Sequence, residues 1–224
     1  MKSKALLPIT MTTLFACTAL NPGMAVAAPE NAANRHMHET DFDTLVTRFE
    51  EPSRAEWQKP DQVIAALGSL DGKTVADIGT GSGYFAFPIA KKAAKVIAID
   101  IDQRFLDYIE RKKQTQKTGA NIEARLTGPD SAGLKPREAD IVLIVDTYHH
   151  IENRVDYFKK LKNALRKGGT LVIVDFKKEE TPVGPKVEMR IAEDQVQSEL
   201  KSAGYTIVSA DRDMLPYQFI IKAQ

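Results

Sequence analysis

Val75-Ala76-Asp77-Ile78-Gly79-Thr80-Gly81-Ser82-Gly83-Tyr84 is the stretch whose reading decides the fold. A short apolar run reaches a carboxylate, and three glycines follow at alternate positions. Such a run predicts a buried strand over 74–78, and the residues beyond it predict a helix over 84–92. The glycines fall where the chain must turn sharply between the two and where a ligand can approach bare backbone. A cofactor-binding turn follows from that arrangement.

Spacing and charge narrow the ligand. A dinucleotide fingerprint G-x-G-x-x-G counted from Gly79 puts Tyr84 in the sixth place; counted from Gly81 it ends acceptably on Ala86, but two residues too far from the strand. Asp77 precedes the loop, and no Lys or Arg occurs after it until Lys91. A pyrophosphate favours donors and positive potential, so the group near Asp77 is expected to be cationic.

Outward from the loop, short apolar runs alternate with amphipathic ones. Further strands are expected over 95–99, 122–126, 140–145, 170–175, 206–210 and 217–222. Helices are expected over 103–117, over 155–165 with Gly168-Gly169 as the stop signal, and over 193–203. Asp211 to Pro216 leave too little chain for a helical crossover, so the last two strands should pair antiparallel. Upstream, Phe42, Leu45, Val46 and Phe49 recur at helical spacing, and Pro60-Asp61 opens a helix running to Leu67. Asp100 ends the second strand, where a carboxylate can accept from ribose hydroxyls, while Asp102 adjoins the next helix as its cap.

Asp77-Ile78-Gly79-Thr80-Gly81-Ser82-Gly83, with Asp100 at the next strand end, Asp130 after the third strand and the terminal hairpin, resembles the class I S-adenosylmethionine-dependent methyltransferases, here of an exported bacterial type. The expected fold class is α/β: a Rossmann-like, seven-stranded, mostly parallel sheet with a C-terminal antiparallel hairpin and helices on both faces. The resemblance implies S-adenosylmethionine as cofactor. It also implies that Asp77 and the backbone of Gly79, Gly81 and Gly83 handle the methionine end, that Asp100 binds the ribose, and that Pro129-Asp130 flank the adenine. Asp146, ending the fourth strand, would face the methionine moiety or the acceptor.

Methyl transfer from a sulfonium is an in-line displacement, so an enzyme for it chiefly positions a nucleophile and excludes water. Asp146-Thr147-Tyr148-His149-His150 follows the fourth strand where the crevice should open, which makes Tyr148 and His149 candidates to orient or deprotonate the acceptor. Thr147-Tyr148 stands where amino-group methyltransferases of this class often carry an Asn/Asp-Pro-Pro-Tyr/Phe box. A small-molecule acceptor is therefore expected, with no nucleic acid and no metal. Residues 54–60, with Trp57 and Gln58, and the connection 176–191 are candidate lids. A nicotinamide-dependent oxidoreductase and a nonenzymatic cofactor-binding module are the competing readings.

The 224 residues are 43% hydrophobic and 27% charged, enough for one sizeable core, and 31 Lys+Arg against 30 Asp+Glu give no bulk field for polyanions. Lys2 and Lys4 precede an apolar run from Ala5 to Leu20, a break at Asn21-Pro22-Gly23 and the small residues Ala25-Val26-Ala27. This predicts a secretory signal peptide over 1–27, cleaved after Ala27, and a periplasmic or secreted protein. Leu14-Phe15-Ala16-Cys17 offers a lipoprotein alternative. The run falls short of the roughly 20 apolar residues of a membrane span. A flexible leader over 28–40 then precedes the domain, 41–224, whose first part, 41–70, is a helical cap. With Cys17 the chain's one cysteine, disulfides, thiolate metal sites and a cysteine nucleophile are excluded from the mature domain.

Overall fold

The computed structural model describes Asn34, Met37, Glu39 and residues 40–224. The expected signal peptide, Cys17 and most of the leader lie outside the described residues; Asn34, Met37 and Glu39 are helical.

Seven strands form one sheet. In chain order they are β1 (Thr74–Ile78), β2 (Lys95–Asp100), β3 (Ile122–Leu126), β4 (Ala139–Val145), β5 (Leu165–Phe176), β6 (Ile207–Asp211) and β7 (Gln218–Ala223). Their spatial order is β3-β2-β1-β4-β5-β7-β6. β1 pairs parallel with both β2 and β4, so strand order reverses between β1 and β4, where sheets of this type open a ligand crevice at the carboxyl ends. β7 pairs antiparallel with both β5 and β6, as the short final connection requires.

Helices cover both faces. Along β1, Ala76 and Ile78 join the core packed by α6 (Arg154–Lys162) and α7 (Glu193–Ser202). Val75, just before them, points to the opposite core, with α3 (Pro60–Ala66), α4 (Ala86–Ala90) and α5 (Gln103–Gln116). The period-2 alternation of a strand thus serves two cores at once, which is why β1 is buried at every position. α5 turns Phe105, Leu106 and Ile109 inward and is capped by Asp102, whose carboxylate accepts from Arg104 N at 2.9 Å. Among the described residues no helix is long and apolar enough to cross a membrane.

Two expectations change. The helix expected over 155–165 ends at Lys162, and Gly168-Gly169 lie inside β5 instead of stopping a helix. Ala139 faces Leu165 while Ile141 already faces Thr170, so the extra residues bulge; a Cβ on Gly169 would lie 3.0 Å from Asp140 O. The cap also holds a helix not expected there: α1 (Phe42–Phe49) is followed by α2 (Arg54–Gln58), and Lys59, at φ 45°, joins α2 to α3.

Candidate functional site

The carboxyl ends of β1, β2, β4 and β5 border a cleft of about 850 Å³. Its floor is the glycine loop. Gly79 N and Thr80 N both donate to Ile99 O, at 2.8 and 3.0 Å, which ties the loop to β2. Gly79 has φ +72°, and a Cβ there would sit 2.2 Å from Thr147 Oγ1, so loop and β4 edge meet backbone to side chain. Gly79 and Gly81 line the cleft. Gly83 does not: it packs beneath α4, where a Cβ would meet Phe87 at 3.0 Å.

Three carboxylates face this cleft, Asp77 and Asp100 buried and Asp146 partly so. Asp77, 3% exposed, accepts from Thr80 Oγ1 at 2.8 Å. Asp100 accepts from Gly81 N at 2.9 Å and Asp102 N at 3.0 Å, which fixes both of its oxygens beside the loop. Asp146 sits at φ 52° just beyond β4. Burial pushes all three carboxyls up to about 6. Each is therefore an acid that a bound cation would restore to its ordinary, ionised range.

Asp146 is held by residues the sequence did not connect. Gln58 Nε2 donates to it at 3.2 Å and to Gln218 Oε1 at 2.9 Å, and Gln218 Nε2 donates to its other oxygen. Arg54 lies 3.7 Å away, with its guanidinium 4.1 Å above the Tyr84 ring and its Nε donating to Gln58 at 2.6 Å. Burial lowers the Arg54 pKa, while Asp146 opposes that shift most strongly. A buried cation between acids was not legible from spacing, because α2 reaches Asp146 only through the tertiary fold.

Of the two residues expected to flank an adenine, Pro129 lines a small cavity of about 70 Å³ together with Ile99, Asp100 and Ile101. Asp130 is exposed and lines neither cavity, so the structure does not bring it to the site.

The catalytic candidates separate. Tyr148 is fully buried, stacks on Phe158 at 5.1 Å and donates its hydroxyl to Glu199 at 2.5 Å; it does not line the cleft. The expectation that Tyr148 acts on an acceptor is corrected by that packing, and burial pushes its phenol pKa well above the usual range. His149 lines the cleft with Nδ1 2.9 Å from Asp175 Oδ1. Because Asp175 also accepts from Phe176 N at 2.7 Å, it is a fixed acceptor that orients the ring, leaving Nε2 as the basic nitrogen when His149 is neutral. Burial alone would lower the His149 pKa, but the charge and hydrogen bond of Asp175 outweigh it and raise it. Asp175 ends β5 as Asp77 ends β1, and that shared placement was a signal available to sequence reading. The tight turn Tyr148–His150 is a 3-10 helix, which lets His150 line the cleft beside His149 with ring centroids 4.3 Å apart.

S-adenosylmethionine fits these donors. Its ammonium and sulfonium match the acids, its ribose hydroxyls match an oriented Asp100, and Ser82 Oγ is a buried loop hydroxyl with no hydrogen-bond partner among the described residues. Asp77, Asp100 and the backbone at Gly79 and Gly81 would hold it.

Comparison with known proteins agrees with the geometry. Residues 76–173 match the family model described as a methyltransferase domain. The structure resembles an S-adenosylmethionine-dependent methyltransferase from Aquifex aeolicus with TM-score 0.76 and 26% identity, over 83% of this chain and 98% of that one. It shares the fold of magnesium protoporphyrin IX methyltransferase from Synechocystis PCC 6803, solved with bound SAH, at TM-score 0.65 and 18% identity over 85% and 97% of the chains. Among curated proteins, tRNA U34 carboxymethyltransferase from Cellvibrio japonicus is 32% identical over 121 residues, 54% of this chain and 37% of that protein. The enzyme of that name from Shewanella sp. strain ANA-3 is 31% identical over 140 residues, 62% and 39% of the two. The chain thus spans well under half the length of these curated relatives. The fold and the matched domain are those of S-adenosylmethionine-dependent methyltransferases, and S-adenosylmethionine is the cofactor.

Proposed function

We propose that this chain transfers a methyl group from S-adenosylmethionine to a small-molecule acceptor, with His149 as the general base and Asp175 as its orienting partner. The observation that carries this reading is the continuity of one cleft from the acidic glycine loop to the His149–Asp175 pair. Bound S-adenosylmethionine supplies an electrophilic methyl. The protein's part is to hold the donor's cationic end on Asp77, fix its ribose on Asp100, and place a proton acceptor at the far end of the cleft.

The lining argues for a small acceptor. Glu39, Glu51, Asp102 and Glu188 join the buried acids around the cleft, against Arg48, Arg54 and Lys186, so its field disfavours a polyanion. The names of the curated relatives point to tRNA instead, but the chain matches less than two-fifths of their length. Incubation with labelled donor, in parallel with small-molecule extract and with tRNA, tests the choice. Label in the small-molecule fraction is expected, and label confined to tRNA would reverse the reading.

Export belongs to the same proposal. Lys2, Lys4 and the apolar run before Ala25-Val26-Ala27 support it. Fractionation of the source cell should find the protein outside the cytoplasm with an N-terminus at Ala28, and a cytoplasmic chain retaining Met1 would refute this.

A further inference from the structure

Beyond β5 the chain forms a strap, residues 177–191, that returns to α7. One side chain fixes it. Arg190, 2% exposed, donates to Pro185 O at 2.8 Å, Lys177 O at 3.0 Å and Glu179 O at 2.7 Å. Its guanidinium also stands 5.0 Å from the Phe176 ring centre. A connection without strand or α-helix is thereby held as a wall. The wall sits so close that a Cβ on Gly184 would lie 2.4 Å from Phe176.

This wall and the cap enclose an aromatic recess. Trp57 on α2 lies 5.5 Å from Phe176 and 6.5 Å from Tyr217, and Trp57, Phe176 and Met189 all line the cleft. The recess adjoins the base through the backbone on both sides. Phe176 follows Asp175, the partner of His149, and Trp57 precedes Gln58, which binds Asp146. Apolar rings therefore stand within one residue of the groups that orient the polar end.

Resting on the methyl-transfer reading, we propose that this end of the cleft is an acceptor slot for a planar aromatic ring bearing a phenolic hydroxyl, the ring among Trp57, Phe176 and Met189 and the hydroxyl toward His149. The base selects the class. A carboxylate or a neutral arylamine attacks a sulfonium without surrendering a proton first, and an aliphatic alcohol is too weak an acid for imidazole, whereas a phenol titrates near 10 and is within reach of a strengthened histidine. The phenol's oxygen gives its proton to His149 Nε2 and forms a C–O bond with the donor's methyl carbon. The methyl–sulfur bond breaks with its electron pair remaining on sulfur, and His149 returns the proton to water. The products are an aryl methyl ether, the thioether form of the donor and one proton.

Trp57 is the chain's one tryptophan, so its fluorescence reports the slot directly and without turnover. Catechol and orcinol should quench it saturably, and cyclohexanol should not. Arg190→Met should weaken that binding roughly tenfold by releasing the strap. His149→Asn should lower transfer from the labelled donor by about a hundredfold. Saturable quenching without donor binding in calorimetry would uphold the slot and defeat the methyl-transfer reading. Donor binding with no saturable response to either phenol, or with methyl reaching only cyclohexanol or tRNA, would overturn the slot.

Discussion

Asp100 shows how much a single residue carries. Both oxygens are already aimed by backbone donors, so a ligand hydroxyl finds an acceptor that needs no reorganisation. A hydrogen bond to a charged group contributes about 1.5 to 3 kcal/mol, so Asp100→Ala should weaken S-adenosylmethionine about ten- to a hundredfold in calorimetry. Unchanged affinity would remove Asp100 from the site. His149 works through a different balance. Asp175 and Asp146 raise its pKa, burial and Arg190 lower it, and His150 adjoins its ring. A base acts when unprotonated, so the transfer rate should climb with pH through the raised His149 pKa and then level. Asp175→Asn removes the largest raising influence, so the midpoint of that profile should move to lower pH while the rate falls; an unmoved midpoint would assign the titration to another group. Tyr148 carries the opposite lesson, since a residue next to the base in sequence is spent on Glu199 and Phe158.

Among the elements, the glycine loop was legible because its chemistry is local: apolar run, acid, glycines. What each glycine does was not. Gly79 accommodates Thr147, which follows a strand more than sixty residues downstream, and only the β1–β4 pairing brings them together. Gly79→Ala should therefore destabilise the fold by roughly 2 to 4 kcal/mol, combining the positive φ with the clash, and chemical denaturation will show whether it does. Thr147→Ala added to it should recover only the clash part. The cap followed the same division. Its amphipathic helices were readable from spacing, but α2 delivers Arg54 and Gln58 to Asp146 through contacts 88 residues apart in the case of Gln58.

For the whole molecule, the acids that shape the cleft also load the fold. Asp77, Asp100 and Asp146 titrate near 6 in the folded chain against ordinary values near 4, so the folded state holds more protons than the unfolded one between those limits. Their contribution to stability is greatest below about pH 4 and is lost as pH rises through about 6, at a cost on the order of 1 to 3 kcal/mol each. Two consequences can be measured. S-adenosylmethionine should raise the melting temperature more at pH 7.5 than at pH 5, because its cationic end favours the ionised acids, and Asp146→Asn should stabilise the ligand-free protein at pH 7.5. A thermal shift that did not depend on pH would separate these carboxylates from donor binding. The sequence by itself determined the α/β alternation, the strand-end acids, the turn that receives a nucleoside and the terminal hairpin, since each follows from periodicity, chain length or side-chain chemistry within a few residues. The tertiary structure alone decided that Gly83, Asp130 and Tyr148 stand away from the cleft, that Arg54, Gln58 and Gln218 surround Asp146, and that Asp175 orients His149. Those assignments depend on which strand ends meet and which faces are buried, and such meetings are set by long-range pairing that no local pattern encodes.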